Sequence, residues 1–185
     1  MAIDANLRLL FLASKKFESG KAVRGAFLLT DLNTKPVEFR CTNPIRPTTL
    51  QTMLYGDILE QHMMVDLIGI PLVNSIKEHP SLILVREQSF LGIRPKIDLP
   101  IIQIASEESI PISMADDGSG NQLLHSKSGR FEPVVLMTHN KFTNDREHAK
   151  TILNEIIETH NLLEPFNRIE TALEQVHGQK IGEEK

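Results

Sequence analysis

Asp31, Glu38, Arg40, Thr42, Arg46 and Thr48 gather in one short stretch of the chain, two carboxylates and two guanidinium groups with hydroxyls between them. A helix beginning near Thr48 would direct free backbone amides and a partial positive charge toward its entrance, beside Arg46. A carboxylate or phosphate is the expected guest. The same surface would suit a small hydrolase or transferase acting on an anionic substrate. A purely structural assignment competes with this and is the stronger of the two. Asp31, followed by Asn33 and Pro36, has turn chemistry of its own. Glu38 has Arg24 or Arg40 as cross-strand ion-pair partners. Thr48 and Gln51 have the capping-box spacing that would occupy the same amides. Nothing nearby marks a nucleophile or a base.

Other constellations carry less. Asp145 and His148 are three apart at a helix start, with His139 before them. This makes a two-histidine, one-carboxylate metal site conceivable, but a helix-capping acid beside a surface histidine accounts for the same spacing. No metal and no cofactor are expected. The run Asp116-Asp117-Gly118-Ser119-Gly120 lacks the alternating oxygen ligands and terminal glutamate of a calcium loop and reads as a turn. The sequence contains no glycine-rich dinucleotide fingerprint, no phosphate loop ending in Gly-Lys-Ser or Gly-Lys-Thr, no His-Glu-x-x-His and no Gly-x-Ser-x-Gly elbow.

The bulk numbers narrow the field further. An apolar fraction of 41% with 24% charged residues suits a folded domain, and 185 residues suffice for one full core. A formal net charge of −4 argues against nucleic acid and anionic membranes as partners. Lys15, Lys16, Lys21 and Arg24 form the N-terminal basic cluster, read as solvated charges around a hairpin. A single cysteine excludes a disulfide framework and points to a reducing compartment, the cytoplasm. The apolar run Leu9 to Ala13 is too short to span a bilayer and is followed at once by Lys15 and Lys16, so no membrane association is expected.

The elements that must position these residues follow from periodicity. Strands are expected over 7–17 and 22–30, joined at Glu18-Ser19-Gly20 as an opening hairpin. In a third strand Val37, Phe39 and Cys41 alternate with Glu38, Arg40 and Thr42, which places the thiol on the apolar face, buried and inert. Leu50, Met53 and Leu54 form the apolar stripe of the helix after Thr48, with Gly56 as its stop. A helix over Ile58 to Ile68 and a short one through Leu72 and Ile76 come next. Leu82 to Val85, Ile101 to Ile104 and Pro133 to Met137 read as buried strands. Residues 107–130, rich in Ser, Gly and Asp, read as a mobile loop. Two helices over 144–177 close the chain. In the second of them Phe166, Ile169, Leu173 and Val176 make an apolar seam that packs on the domain or on another protein.

The fold class expected is therefore α+β, one domain over 1–185, with a mixed or antiparallel sheet covered by helices. At the level of topology alone, the hairpin followed by a helix is compatible with profilin-like and longin-like binding domains, an analogy that carries no function. A patterned core without a catalytic signature points to a non-enzymatic binding or scaffolding subunit of a cytoplasmic protein assembly. Its expected partner is another protein, or a second copy through the Phe166, Ile169, Leu173, Val176 seam, with nucleic acid unlikely.

Overall fold

The computed structural model describes Asp4, residues 6–110 and residues 121–183, with side chains described as far as Gln179. The expected hairpin forms from β1 (Leu9–Phe17) and β2 (Ala22–Thr30), paired antiparallel from Leu9↔Thr30 to Phe17↔Ala22. Ser19 and Gly20 turn the chain between them with positive φ of 55° and 88°. Next come β3 (Pro36–Cys41), the short helices α1 (Thr49–Tyr55), α2 (Leu59–His62) and α3 (Ile70–Asn74), and then β4 (Leu82–Val85) and β5 (Ile101–Ser106). A π-helical stretch, Met63–Gly69, links α2 to α3, and 3-10 turns over Gln88–Lys96 link β4 to β5. β6 (Gln122–Leu124), β7 (Val134–Thr138), α4 (Asp145–Ile156) and α5 (Glu164–Glu183) complete the chain.

The fold is α+β, with one mixed seven-stranded sheet in the order β3-β2-β1-β4-β5-β7-β6. β1, β4 and β5 run parallel, and the remaining pairings are antiparallel. Period two sorts the central strands into two cores. Leu9, Phe11, Leu82, Leu84, Ile102 and Ile104 face α4 and α5. Leu10, Leu12, Ile83, Val85 and Ile101 face the helices that follow β3. Both faces being covered explains why β1 and β4 open as unbroken apolar runs. Gly25 marks the tightest approach between layers, since a Cβ built there would lie 2.0 Å from Ile68 Cγ2.

Several expectations change. The Phe166, Ile169, Leu173 seam is buried within the chain's own core, with Leu173 wholly inaccessible, so it offers nothing to a second protein. Val176 beside it is half-buried. The α1 stripe goes the other way. Leu50, Met53 and Leu54 are 64%, 76% and 75% exposed, because among the described residues no element packs across that face of α1. In β3, an edge strand, Cys41 is half-buried against the α4–α5 core while Val37 and Phe39 are exposed. Within 107–130, a 3-10 turn (Glu107–Ser109) and β6 are formed; residues 111–120, including the Asp116 to Gly120 run, lie outside the described residues. Among the described residues no helix is long and apolar enough to cross a membrane.

Candidate functional site

The residues expected to bind an anion are dispersed into structural duties. Asp31 Oδ1 accepts from the amides of Asn33 and Lys35, both at 2.9 Å, closing the β2–β3 turn. Glu38 takes Arg40 Nε on Oε1 at 2.6 Å and the amide of Lys77 on Oε2 at 3.1 Å. Burial pushes the Glu38 carboxyl up, but the Lys77 amide and the Arg40 guanidinium together outweigh this and hold it below the usual carboxylate range. Thr42 Oγ1 accepts from the Gly25 amide at 3.1 Å, locking β2 to the chain leaving β3. Arg46 forms a two-pronged pair with Glu18 at 2.9 and 2.6 Å.

Thr48 and Gln51 form the full capping box of α1, so two of its free amides are already used. Nor do the six residues share one surface. Ile45, next to Arg46, bridges to Val23, whereas Asp31 follows the far end of β2. Those positions are about 27 Å apart at a strand rise of ~3.4 Å per residue. The Asp145, His148, His139 alternative is also closed. Asp145 takes Arg94 on both oxygens, at 2.6 and 3.2 Å, together with the amide of Ile101.

A different cluster forms where β4 ends against β1. Ligands of parallel sheets bind outside the carboxyl ends of the strands, and here those ends are polar. Beyond the Leu12↔Val85 pair, β1 continues as Ser14-Lys15-Lys16 and β4 gives way to Arg86-Glu87. Glu87 Oε1 accepts from the Ser14 amide and hydroxyl, both at 3.1 Å, and from Arg86 Nε and Nη2 at 3.2 and 3.1 Å. Arg86 also donates to the Ser14 carbonyl and, through Nη1, to Glu170 Oε2 on α5 at 3.0 Å. Lys15 Nζ reaches Glu170 Oε1 at 2.5 Å and Glu174 at 2.9 Å.

Hydrogen bonds set the electrostatics of this cluster. The bond to Lys15 holds the Glu170 carboxyl below its ordinary range against the cost of burial, with Arg86 assisting. The bonds to Glu170 and Glu174 hold the Lys15 ammonium above its own. Among the described residues, two buried polar atoms of this cluster have no partner, Glu87 Oε2 and Gln103 Oε1. Gln103 is tied to the site by its Nε2, which donates to the Arg86 carbonyl at 3.2 Å.

Arg86 stands between two cavities. One, about 590 Å³, is lined by Ser14, Lys16, Lys21, Met64 and Glu87 among others. The other, about 570 Å³, is lined by Gln103, Ile110, Met137, Phe166 and Asn167 among others. Among the described residues no group of three or more His, Cys, Asp or Glu side chains is placed to hold a metal ion. The arrangement is a pair of cations held by carboxylates of α5, beside a buried carboxylate oxygen with no donor among the described residues.

Lys15, Lys16 and Lys21 of this site belong to the basic cluster visible in the sequence, there read as solvated charges. Arg24, the fourth member, is instead buried, donating to His177 Nδ1 at 3.1 Å and the Thr42 carbonyl at 3.0 Å. Ser14, Arg86, Glu87, Gln103 and Glu170 were not singled out by sequence reasoning. The available signal was that two buried apolar runs end in charged residues, Lys15-Lys16 and Arg86-Glu87.

No family model matches the sequence, and no curated protein matches it. Solved structures do match in three dimensions. Endonuclease V from Streptomyces avermitilis has a TM-score of 0.58 at 10% identity, over 94% of this chain and 82% of that one. Endonuclease V from Bacillus subtilis gives 0.55 at 12% identity, over the same shares, 94% and 82%. Endonuclease V from Ciona intestinalis, in complex with a 23mer DNA containing an inosine followed by a ribo-adenosine, gives 0.50 at 10% identity over 91% and 86%. At such identities the likeness is one of fold. It replaces the profilin-like and longin-like analogy.

These neighbours overturn the expectation of a non-enzymatic scaffolding subunit, since they are nucleases, and with it the dismissal of nucleic acid. The dismissal rested on net charge, a sum over the whole chain that says nothing of where the cations sit.

Proposed function

We propose that this protein is an enzyme acting on nucleic acid and that it holds its substrate where β1 and β4 end. The observation that carries this reading is the position of Arg86, with Lys15 beside it, between two cavities at the carboxyl ends of parallel strands, in a fold like that of endonuclease V. A phosphodiester seated on Arg86 leaves a cavity on either side for its two nucleosides. Arg86 and Lys15 hold the non-bridging oxygens as charge develops on them. In hydrolysis a water attacks the phosphorus as the bond to the departing sugar oxygen breaks, with solvent taking the water's proton and supplying one to the sugar oxygen. The single cysteine is in keeping with work in the reducing cytoplasm.

The test uses end-labelled single- and double-stranded DNA and RNA, with an inosine-containing DNA among them because one structural neighbour was solved with such a strand. Binding is followed by fluorescence anisotropy and scission on denaturing gels. The reading expects binding and cut product with at least one of these strands, both lost in Arg86→Ala. Binding without product from any strand removes the hydrolytic step, and absence of binding to every strand removes the reading.

A further inference from the structure

Sites that cleave phosphodiesters often use one or two divalent cations, held by carboxylates whose oxygens face the substrate. The carboxylates at the ends of β1 and β4 are committed elsewhere. Glu170 has both oxygens taken by cations, Lys15 on Oε1 and Arg86 on Oε2. Glu174 is paired with Lys15. Glu87 Oε1 already has four donors, which leaves Oε2 as its one oxygen without a donor. A magnesium ion requires near-octahedral oxygen ligands, and at Glu87 it would sit beside the Arg86 guanidinium, a like charge. This donor set does not fit a divalent cation.

It does fit an anion. Lys15 and Arg86 converge on one carboxylate from two strands, and that carboxylate is on α5, a third element. A phosphodiester has the same charge and offers two oxygens in the same manner, so it can replace Glu170 on both donors. Glu170 is 39% exposed along its side chain, so it can turn to solvent when displaced.

We infer that a phosphodiester is neutralised at this site by Lys15 and Arg86 directly, with no divalent cation, and that Glu170 occupies their donors until the strand arrives. This rests on the nucleic-acid reading above. Two cations do the work a metal would do, and an acidic residue of α5 competes with the substrate for them.

The experiment measures the affinity of a fluorescein-labelled single-stranded oligodeoxynucleotide in EDTA and in magnesium chloride at matched ionic strength. Wild type is compared with Lys15→Ala, Arg86→Lys and Glu170→Gln, each checked for folding by circular dichroism. Affinity should agree within about twofold between the two buffers. Glu170→Gln should bind about tenfold more tightly, because the competing charge is gone. Lys15→Ala should bind about tenfold more weakly and lower the slope of log affinity against log salt by ~0.7, the value for one phosphate contact on a single strand.

Arg86→Lys keeps the charge but loses the fork, and should weaken binding in both buffers alike. Binding that appears only with magnesium, or is unchanged in Glu170→Gln, overturns the inference while leaving nucleic-acid binding intact. Absence of binding by every variant in both buffers overturns the nucleic-acid reading as well.

Discussion

Glu170 ties α5 to the ends of two strands, and its protonation therefore bears on stability as well as on binding. Its carboxyl is held below the ordinary range, chiefly by the bond to Lys15. A group whose folded value is depressed contributes stability above its unfolded value, and that contribution is lost as pH falls through the folded one. Lys15, raised above its ordinary range, contributes below the usual lysine value and loses this as pH rises through its folded value. Glu170→Gln should accordingly lower the melting temperature near neutral pH. The difference from wild type should close as pH is taken below the usual carboxylate range. A melting difference independent of pH between neutral and strongly acidic buffer would mean that the tie is packing rather than charge.

At the scale of elements, the helix layers on both faces of the sheet are close-packed against it. The close approach of Gly25 to Ile68 means that Gly25→Ala must displace Ile68 or the π-helical stretch that carries it, at a cost of about 1–3 kcal/mol by the usual penalty for overpacking. Urea denaturation would register this as a lower midpoint with unchanged slope. On the other face, Leu173 lies at the centre of the α5 contact, and Leu173→Ala should cost about 2–5 kcal/mol, the range for a buried leucine. Were α5 an interface between copies, the loss would instead depend on protein concentration. Leu54→Glu on the exposed stripe of α1 should change stability in the same experiment by no more than about 0.5 kcal/mol, as for surface substitutions away from special features.

Over the whole molecule, the net charge of −4 and the local chemistry point in opposite directions. Lys15, Lys16, Lys21 and Arg86 line one cavity, offset by Glu60 and Glu87 in the same lining and by Glu170 and Glu174, which pair with Lys15. A phosphodiester strand would thus meet a mildly repulsive protein and a receptive site. Association with nucleic acid should be slow for want of long-range steering, and salt should affect it only through the few phosphate contacts at the site. Stopped-flow mixing with a labelled oligonucleotide at two ionic strengths checks this. An association rate that falls steeply with added salt would contradict it.

By itself the sequence determined what repeats locally. The unbroken aliphatic run 82–85 and the similar run 101–104 mark strands covered on both faces, and the apolar run 9–13 marks a strand. The Thr48–Gln51 pair marks a helix start, and the spacing of Phe166, Ile169 and Leu173 marks a helix with one buried face. It also contained the turn duty of Asp31, whose bonds join near neighbours in the chain; Glu38 pairs with Arg40 within β3 rather than across strands, and its bond to the Lys77 amide, 39 positions on, has no local signal.

Tertiary structure alone decided that β4 lies parallel beside β1, which brings Glu87 to Ser14 across 73 positions of sequence, and that α5 packs on β1, which brings Glu170 to Lys15 across 155. Parallel pairing has no turn to announce it, and the partner of a buried strand is chosen by how the whole sheet packs. The burial of the α5 seam and the exposure of the α1 stripe follow from the same cause. A helix periodicity states that one face is apolar, and only the packed layers determine whether anything covers it.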